Sequence, residues 1–554
     1  MKAGIIFLLT FAAAATAAAQ TPAEVPPIAF NALAQAQGPA LDLRIDDAVA
    51  RALERNLDIA VERLNPQTFD FSLAALYATY RPALTSQVGY RDQTTFSRSQ
   101  TAGGDVLVTE TTTANAGIAQ NLQWGGGSYS VAFGNTRVAQ TDLFATRNPA
   151  VNTNLNAVFV QPLLRGFKTD TIRTQLRVTA INQDISEIQV ETTVNNTLAN
   201  VRNAYWDLVY AQEAVRVAQS SLELAEKLIA DNQARVEIGT MAPIDVVQSE
   251  AEAATRRQTL TLAEATWQTA ELALKRLIVS GTEDPLWSAR INPTDRPSFA
   301  PEAIDLQGAI RNAVASRTDI AEAKKTLESN DLTLKNLVNQ TLPALDLQAT
   351  YGLAGVGGTV IERGGLGGAV TNVIPGGYAD ALRTLGNVDA PTWALQMNLS
   401  YPIGTSAADA GVARARLQIR QTQAQLKALE LQVATEVTTT GLNVQSNLKR
   451  VEAATAAREL AQKRLEAENS KFEVGMSTNF LVVQAQRDLA DAQITALRAV
   501  LDYEKSKVDF ERVQRTALSR AGISVISGAQ ASGGTTNAAA AAGGTGAAGA
   551  ARQQ

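Results

Sequence analysis

The stretch that decides the fold is residues 43–90, LRIDDAVARALERNLDIAVERLNPQTFDFSLAALYATYRPALTSQVGY, because the chain repeats it 261 positions later. Residues 304–351 align with it without a gap, and thirteen of the 48 aligned pairs are identical. A second match, at an offset of 236, relates residues 215–248 to residues 451–484. Two offsets within one duplication predict two halves that share their elements and differ in their connections, so that each half is a structural unit.

The segments outside the duplication have different compositions. Residues 1–19 place a lysine and an apolar run before an Ala-Ala-Ala site, which predicts a cleaved export signal. Residues 20–40 are rich in proline and alanine and are interpreted as a linker. Residues 521–554 are mainly Gly, Ala, Ser and Thr, which cannot bury enough surface to fold, so we predict a flexible tail. The two structural repeats then occupy residues 41–296 and 297–520.

The composition argues against most enzyme classes. The chain contains no cysteine and no histidine, which removes the usual nucleophiles, general bases and zinc ligands. Its net charge of −5, with both signs interspersed, gives no basic footprint for nucleic acid. We therefore predict no enzymatic activity, no cofactor, no catalytic residue, no metal site and no nucleic-acid partner.

Two very long helices are predicted from apolar spacing. From residue 194 to residue 229, eleven core-type residues recur with a mean step of 3.5, the coiled-coil period. Helical composition runs from about residue 169 to 236 and again from 407 to 474, which corresponds to rods of roughly 100 Å. Each rod ends at a glycine, Gly239 or Gly475, which is the usual residue just past a helix end. Return helices are predicted over residues 244–278 and 480–518, so each half carries an antiparallel helical hairpin.

Short segments with one apolar face follow Pro82 and Pro343. The clearest is residues 393–401, in which Trp, Leu, Met, Leu and Tyr alternate with small or polar residues, the pattern of a half-buried strand. Its two aromatics lie eight residues apart, which after strand tilt is about 20 Å, comparable to the apolar band of an outer-membrane barrel. The candidate girdle residues are Tyr90, Tyr351, Trp393 and Tyr401. We predict two core strands per half. Residues 116–137 are predicted to form a further hairpin, whose position in the sheet is left open. Residues 352–390 are interpreted as a long surface loop.

Four to six strands cannot close a barrel alone, since the smallest single-chain barrels have about eight. Open sheet edges are not tolerated in hydrocarbon, because unpaired backbone groups cost several kcal/mol each. If the strands enter a bilayer, other copies of this chain must complete the sheet.

The order of these elements, given twice, resembles that of the TolC-like outer-membrane efflux and secretion channels. The motifs that carry the resemblance are AYWDL at 204–208, QPLLRGF at 161–167 and the two glycine turns, RVEIGTMAPIDVV at 235–247 and KFEVGMSTNFLVV at 471–483. The resemblance implies a mixed α+β membrane protein: a homotrimer with a shared 12-stranded β-barrel, continued by a 12-helix periplasmic tunnel. It also implies residence in the bacterial outer membrane, with partners in a periplasmic adaptor and an inner-membrane RND or ABC transporter.

The resemblance assigns the two glycine turns as adaptor contacts. These residues are Gly239, Thr240, Met241, Ala242 and Pro243 in the first turn, and Gly475, Met476, Ser477, Thr478 and Asn479 in the second. Helix capping alone would also explain them. Family members often narrow the pore with acidic residues after the second turn, but here those positions are Leu481 and Gln484, and only Asp245 in the first half is acidic. Asp245 also suits a helix N-terminus, where the dipole favours a carboxylate.

The leading hypothesis is a passive exit channel of a tripartite efflux or type I secretion system, which passes small molecules, drugs or polypeptides. The alternative is a periplasmic coiled-coil adaptor or scaffold, which would keep the long helices but has no need of strands with an apolar face.

Overall fold

The structure is a computed structural model that describes residues 40–97, 104–297, 304–365, 368–404 and 406–516. The predicted export signal at 1–19, the linker before residue 40 and the predicted tail at 521–554 lie outside the described residues.

The first half runs from a short strand through a sheet segment to a long helical hairpin. Its elements are β1 (Ala40–Leu43), α1 (Ile45–Arg55), α2 (Leu57–Ala78), β2 (Ala83–Phe96), β3 (Val106–Asn121), β4 (Ser128–Gln140), β5 (Arg147–Pro162), α3 (Thr171–Glu237), α4 (Pro243–Ile278), α5 (Pro285–Ser288) and β6 (Arg290–Pro293). The second half repeats the order with different strands. Its elements are α6 (Leu306–Ser316), α7 (Thr318–Gln340), β7 (Ala344–Arg363), β8 (Val370–Ile374), α8 (Tyr378–Gly386), β9 (Pro391–Ser400), α9 (Ala407–Glu473) and α10 (Asn479–Gln514).

The predicted helical hairpins are present. Helices α3 and α9 each have 67 residues, and their return helices α4 and α10 each have 36. The side chain of Asp170 accepts from the Arg173 backbone N–H at 2.7 Å and caps α3. Ser406 and Asp409 form a capping box at the start of α9. Of the eleven seam positions that indicated a 3.5-residue period in α3, eight are buried, so that period marks the packed face of the helix.

The largest core cluster lies at the middle of α3, where the AYWDL motif meets the parallel pair β1–β6. Tyr205 is fully buried, and its hydroxyl lies 3.0 Å from the carbonyl oxygen of Leu43 and 3.1 Å from Asp295 Oδ2. Burial raises the pKa of Tyr205 to about 12, so the phenol stays protonated. Asp207 binds the Lys505 ammonium group at 2.9 Å, which fixes α3 against α10.

All seven strands of the main sheet pair antiparallel, in the order β2-β3-β4-β5-β7-β8, with β9 also on β7. Strands β3 and β4 are the extra hairpin, and they lie within the sheet, between β2 and β5. The first half therefore contributes four strands and not two.

The interpretation of residues 352–390 as a surface loop is wrong. The segment contains the outer part of β7, all of β8 and helix α8. Its glycines hide the apolar and polar alternation of a strand. Gly355 and Gly357 are needed there, because an added Cβ atom would lie 2.1 Å from Ala381 O of α8 at the first position and 2.3 Å from Gly377 O, just before α8, at the second.

None of the helices in the described part of the chain combines the length and the apolar character that are needed to cross a membrane.

Candidate functional site

One face of the main sheet is apolar across all six long strands. The strand register places one residue from each strand in a single row, and every member of the row is apolar or aromatic: Leu84, Ile118, Val131, Ala157, Tyr351 and Trp393. On the edge strand β9, Trp393, Leu395, Met397 and Leu399 are all more than half exposed. We call this surface the apolar band.

The other face of the same strands is polar. Residues that alternate with the apolar band include Thr85, Gln87, Asn115, Ser130, Asn154, Asn156, Gln348, Thr350, Gln396 and Asn398. A sheet with an exposed apolar face and a polar opposite face matches the wall of an outer-membrane barrel, which is apolar toward lipid and polar toward its lumen.

The candidate girdle residues lie at the borders of the apolar band. Tyr351 and Trp393 are direct cross-strand partners, and Tyr90 lies on the same face of β2. Beyond Tyr90 this face becomes charged, with Asp92 opposite Glu110. Tyr401 follows the last residue of β9 at the other border and is exposed. The positions are those expected of aromatic anchors, and their role stays a prediction.

The sheet has two edges without a strand partner among the described residues. One edge is the outer side of β2, and the other is formed by the outer sides of β9 and the short strand β8, which pair with different parts of β7. Such edges present rows of free N–H and C=O groups that bind a further strand.

The far ends of the two helical hairpins have the same backbone geometry. Gly239 and Gly475 both adopt φ +77°, and each is followed by a residue whose N–H bonds back to the last turn of the helix. In the first tip (residues 239–243) Thr240 N donates to Arg235 O at 2.9 Å, and in the second tip (residues 475–479) Met476 N donates to Lys471 O at 2.8 Å. This is the Schellman arrangement, which favours glycine at the position of positive φ.

The tips expose apolar side chains that have no role in this capping. Ile238 and Val474, which occupy matching positions in the two halves, are 73% and 69% exposed, and Met476 is 78% exposed. Exposed apolar groups at the end of a rigid rod are typical of a contact surface. Met241 differs, because it packs against the buried cluster of Leu228, Phe472, Val482 and Val483.

Buried amide side chains join the two tips. Asn232 of α3 is fully buried, and its Nδ2 donates to Ser249 Oγ and to Asn479 Oδ1, both at 2.8 Å. Asn479 Nδ2 in turn donates to the Asp245 carbonyl at 3.2 Å. The structure therefore places Asn479 between the hairpins, with 3% of its surface exposed, and not on the outer surface of the tip.

An ion-pair cluster lies next to these amides. Glu252 of α4 is buried and accepts from Arg256 Nε at 2.8 Å and from Arg487 Nε of α10 at 3.0 Å. Burial by itself would raise the pKa of Glu252, but the hydrogen bonds and charges of Arg487 and Arg256 outweigh burial and lower that pKa. The carboxylate is therefore charged at neutral pH and holds the first hairpin to the second. We call Asn232, Ser249, Asn479, Glu252 and Arg487 the tip lock.

The candidate constriction residues surround the tip lock. Asp245 and Gln484 are half-buried, whereas Leu481 is 43% exposed. Gln484 Nε2 donates to Asp488 Oδ1 at 2.7 Å. Asp488 also accepts from Arg464 at 2.6 Å, so the first acidic residue of α10 is already paired.

Most residues of the tip lock were not predicted from the sequence. Asn232 has Glu468 at the matching position of the second half, and Glu252 has Asp488, so the duplication did not single them out. Their partners on α10 lie more than 230 residues away in the chain. The available signal was a pair of polar residues on the packed face of a coiled coil, which usually have a specific partner.

Three comparisons with known proteins agree with this geometry. The family model for "Outer membrane efflux protein" matches residues 48–279 and 309–513. The outer membrane efflux protein BepC of Brucella suis biovar 1 (strain 1330) is 23% identical over 388 residues, which are 68% of this chain and 73% of BepC.

Solved structures show the same fold at low sequence identity. The Campylobacter jejuni CmeC outer membrane channel has a TM-score of 0.60 at 15% identity, and the alignment covers 85% of both chains. The open state of the Neisseria gonorrhoeae MtrE outer membrane channel has a TM-score of 0.57 at 17% identity, with 85% of this chain and 88% of MtrE covered. A membrane protein from Pseudomonas aeruginosa has a TM-score of 0.62 at 14% identity, with 86% and 91% covered.

The apolar band, the paired helical hairpins and a family match that covers both repeats lead to one assignment. This chain belongs to the outer membrane efflux protein family, and it is a protein of the bacterial outer membrane with a periplasmic helical extension.

Proposed function

We propose that three copies of this chain form one passive exit duct of a tripartite efflux or type I secretion system. The sheets of the three copies share a single barrel in the outer membrane, and their helical hairpins continue it as a cylinder through the periplasm. Small molecules, drugs or polypeptides pass through the lumen, driven by an inner-membrane RND or ABC transporter that reaches the duct through a periplasmic adaptor.

The observation that carries this proposal is the apolar band with its two open edges. An exposed face of this kind is stable only against lipid, and a sheet with open edges can lie in lipid only if a neighbouring copy pairs with them. A soluble periplasmic adaptor or scaffold would need neither feature.

The tips support the proposed contact with an adaptor. They lie about 100 Å of helix away from the sheet, since α3 has 67 residues, which places them deep in the periplasm. Their exposed apolar residues Ile238, Val474 and Met476 have no contact partner that would cover them among the described residues. An adaptor that presents apolar side chains would bury this surface.

The tip lock supports a closed resting state. The amides and Glu252 hold the first hairpin against the second, and a duct that conducts must move these hairpins apart. We expect the adaptor to supply the free energy that opens them, because it binds next to the lock.

The test of the tip assignment is Gly475→Val. No atom lies within 4 Å of a Cβ placed on Gly475, so the cost is backbone strain at φ +77°, about 1–2 kcal/mol. We expect the variant to reach the outer membrane as a heat-labile trimer but to lose export, measured as drug accumulation in whole cells.

The matched control is Gly386→Val. Gly386 ends α8 near the sheet, is not in the left-handed region, and also has no atom within 4 Å of an added Cβ. Export should be unchanged in this variant. Normal export by Gly475→Val would overturn the tip assignment, and a water-soluble monomeric wild-type protein would overturn the duct itself.

A further inference from the structure

We propose that each copy supplies six strands to the wall of the barrel, so that three copies build an 18-stranded barrel and not the 12-stranded barrel that the resemblance implies. This inference rests on the proposed trimeric duct. Its basis is the position of β3 and β4, which lie inside the continuous sheet between β2 and β5.

The extra hairpin has the properties of barrel wall along its whole length. Strand β3 pairs with β2 through fourteen residues and with β4 through thirteen, and β4 pairs with β5 through eleven. Its residues Ile118, Val131 and Phe133 continue the apolar band, while Asn115 and Ser130 continue the polar face. A hairpin folded into the lumen or onto the outer surface would break both faces.

The stagger of the strands has the value that barrel closure requires. The row from Leu84 to Trp393 begins one residue from the periplasmic end of β2 and ends seven residues from the periplasmic end of β9. A climb of six residues over five strand spacings corresponds to about 20 Å over about 24 Å, a tilt of about 40°. Closed barrels have tilts of about 35–45°.

The two edges are complementary in direction, so the partner is a second copy of this chain. Each strand in the order β2-β3-β4-β5-β7-β9 is antiparallel to the one before it. With six strands, β2 and β9 run in opposite directions, and β9 of one copy can pair antiparallel with β2 of the next. Leu84 and Leu399 lie on the apolar band of each edge, so this pairing keeps the band unbroken.

The width of six strands also suits four long helices. At about 4.8 Å spacing and about 40° tilt, six strands occupy roughly 37 Å of circumference, and four helices at 8–10 Å occupy roughly 32–40 Å. Four strands would occupy only about 25 Å. Eighteen strands give a wall about 36 Å across, in the range of porins, which enclose an aqueous channel.

A wider barrel has a consequence for the cargo. The wall in the outer membrane would be as broad as the helical cylinder below it, so the tips and not the barrel would set the largest solute that passes. The cargo class that such an exit accommodates is bulky polar solutes, including unfolded polypeptide, because the inner face carries Asn, Gln, Ser and Thr side chains.

Single cysteines test whether β4 is in the wall, and the absence of natural cysteine makes the labelling unambiguous. In the purified trimer in lipid nanodiscs, Ser130→Cys should react with a water-soluble maleimide, whereas Val131→Cys and Phe133→Cys should be protected more than tenfold. Comparable labelling at all three positions would remove the hairpin from the wall and overturn the proposal.

Cross-linking between copies separates this inference from the duct itself. Leu84→Cys combined in turn with Met397→Cys, Leu399→Cys or Tyr401→Cys should give a covalent trimer for at least one pair. A cross-linked trimer whose cryo-EM cross-section shows eighteen strands supports both proposals. Twelve strands in that trimer would overturn only the strand count, and no cross-link with a monomer in solution would overturn the duct.

Discussion

The two halves of this protein keep the same helices but not the same strands. Helices α3 and α9 agree to the residue in length, as do α4 and α10. The sheet segments differ, with four strands of 13 to 16 residues in the first half and strands of 20, 5 and 10 residues in the second. Duplication has therefore been followed by strict conservation of length in one region and by change in the other.

The physical reason is that the two regions differ in how many of their ends are held in place by contacts. The hairpins meet each other at the tip lock, and a single inserted residue would shift a helix by 1.5 Å and rotate it by about 100°. A pair of strands can be added to the sheet without such a penalty, because the second strand returns the chain to the side from which it left. The helices are thus constrained at both ends, and the strands only at one.

The largest effect on the contact between the two tips should come from shortening one helical hairpin alone. Deletion of residues 455–461 and 491–497 removes one heptad from each helix of the second hairpin and withdraws its tip by about 10 Å. We expect Asn232→Cys and Asn479→Cys to be joined by a short thiol cross-linker in the parent and almost not at all in the shortened protein. Deleting residues 219–225 and 255–261 as well should restore the cross-link, and failure to do so would mean that equal length is not what aligns the tips.

The next effect concerns Glu252 of the tip lock. Glu252→Gln removes the charge that pairs Arg256 and Arg487, which we expect to destabilise the closed tips by about 1–3 kcal/mol, below the full cost of breaking a buried pair because Arg487 is half exposed. This corresponds to roughly a 5- to 150-fold rise in the ratio of open to closed channels in planar bilayers.

The duplication provides the control for this variant. Asp488 occupies the position that matches Glu252, and its partner Arg464 is 58% exposed. Asp488→Asn should change the same ratio by less than about fivefold, as exposed ion pairs contribute about 0–1 kcal/mol. Equal effects in the two variants would show that the first half has no special role in closure.

A smaller effect on conductance is expected when the pH is lowered, and it depends on the charge of Glu252. The pKa of Glu252 is lowered from its ordinary 4.5, so its stabilising contribution is fully present above pH 4.5 and is lost as pH falls through the lowered value. Conductance should stay constant from pH 7 to about 4.5 and rise below that. The acid step should be absent in Glu252→Gln, and an acid step that persists there would assign the titration to another carboxylate.

Local signals were enough to predict the helices. The 3.5-residue period and the terminal glycines of α3 and α9 are short-range features, and the structure confirms their ends to within about two residues. The strand count required pairing partners that are far apart in sequence. Alternation around Ile118 indicated the hairpin of β3 and β4. The sequence did not show that the next strand, β5, pairs with β7, almost 200 residues later.

The tip residues were predictable only in part. Gly239 and Gly475 could be identified because positive φ favours one residue type. The burial of Asn479 could not, because it depends on Asn232 of the other hairpin. A polar residue on the packed face of one helix indicates that a partner exists, but the sequence does not identify which distant helix supplies it.

The smallest effect is on thermal stability, and it concerns the glycines within the long helix α9. Gly441 of α9 occupies the position that matches Tyr205 of α3, and a Cβ on it would lie 2.9 Å from Leu306 Cδ1 and 3.4 Å from Phe510. Gly411, also in α9, has only Leu337 at an ordinary 3.6 Å. Gly411→Ala should therefore stabilise the helix by about 0.5–1 kcal/mol, raising the midpoint of thermal unfolding followed by circular dichroism. Gly441→Ala should gain less or lose, since Leu306 must move. An equal gain at both positions would mean that the close packing of α6 is not the reason why α9 has glycine where α3 has tyrosine.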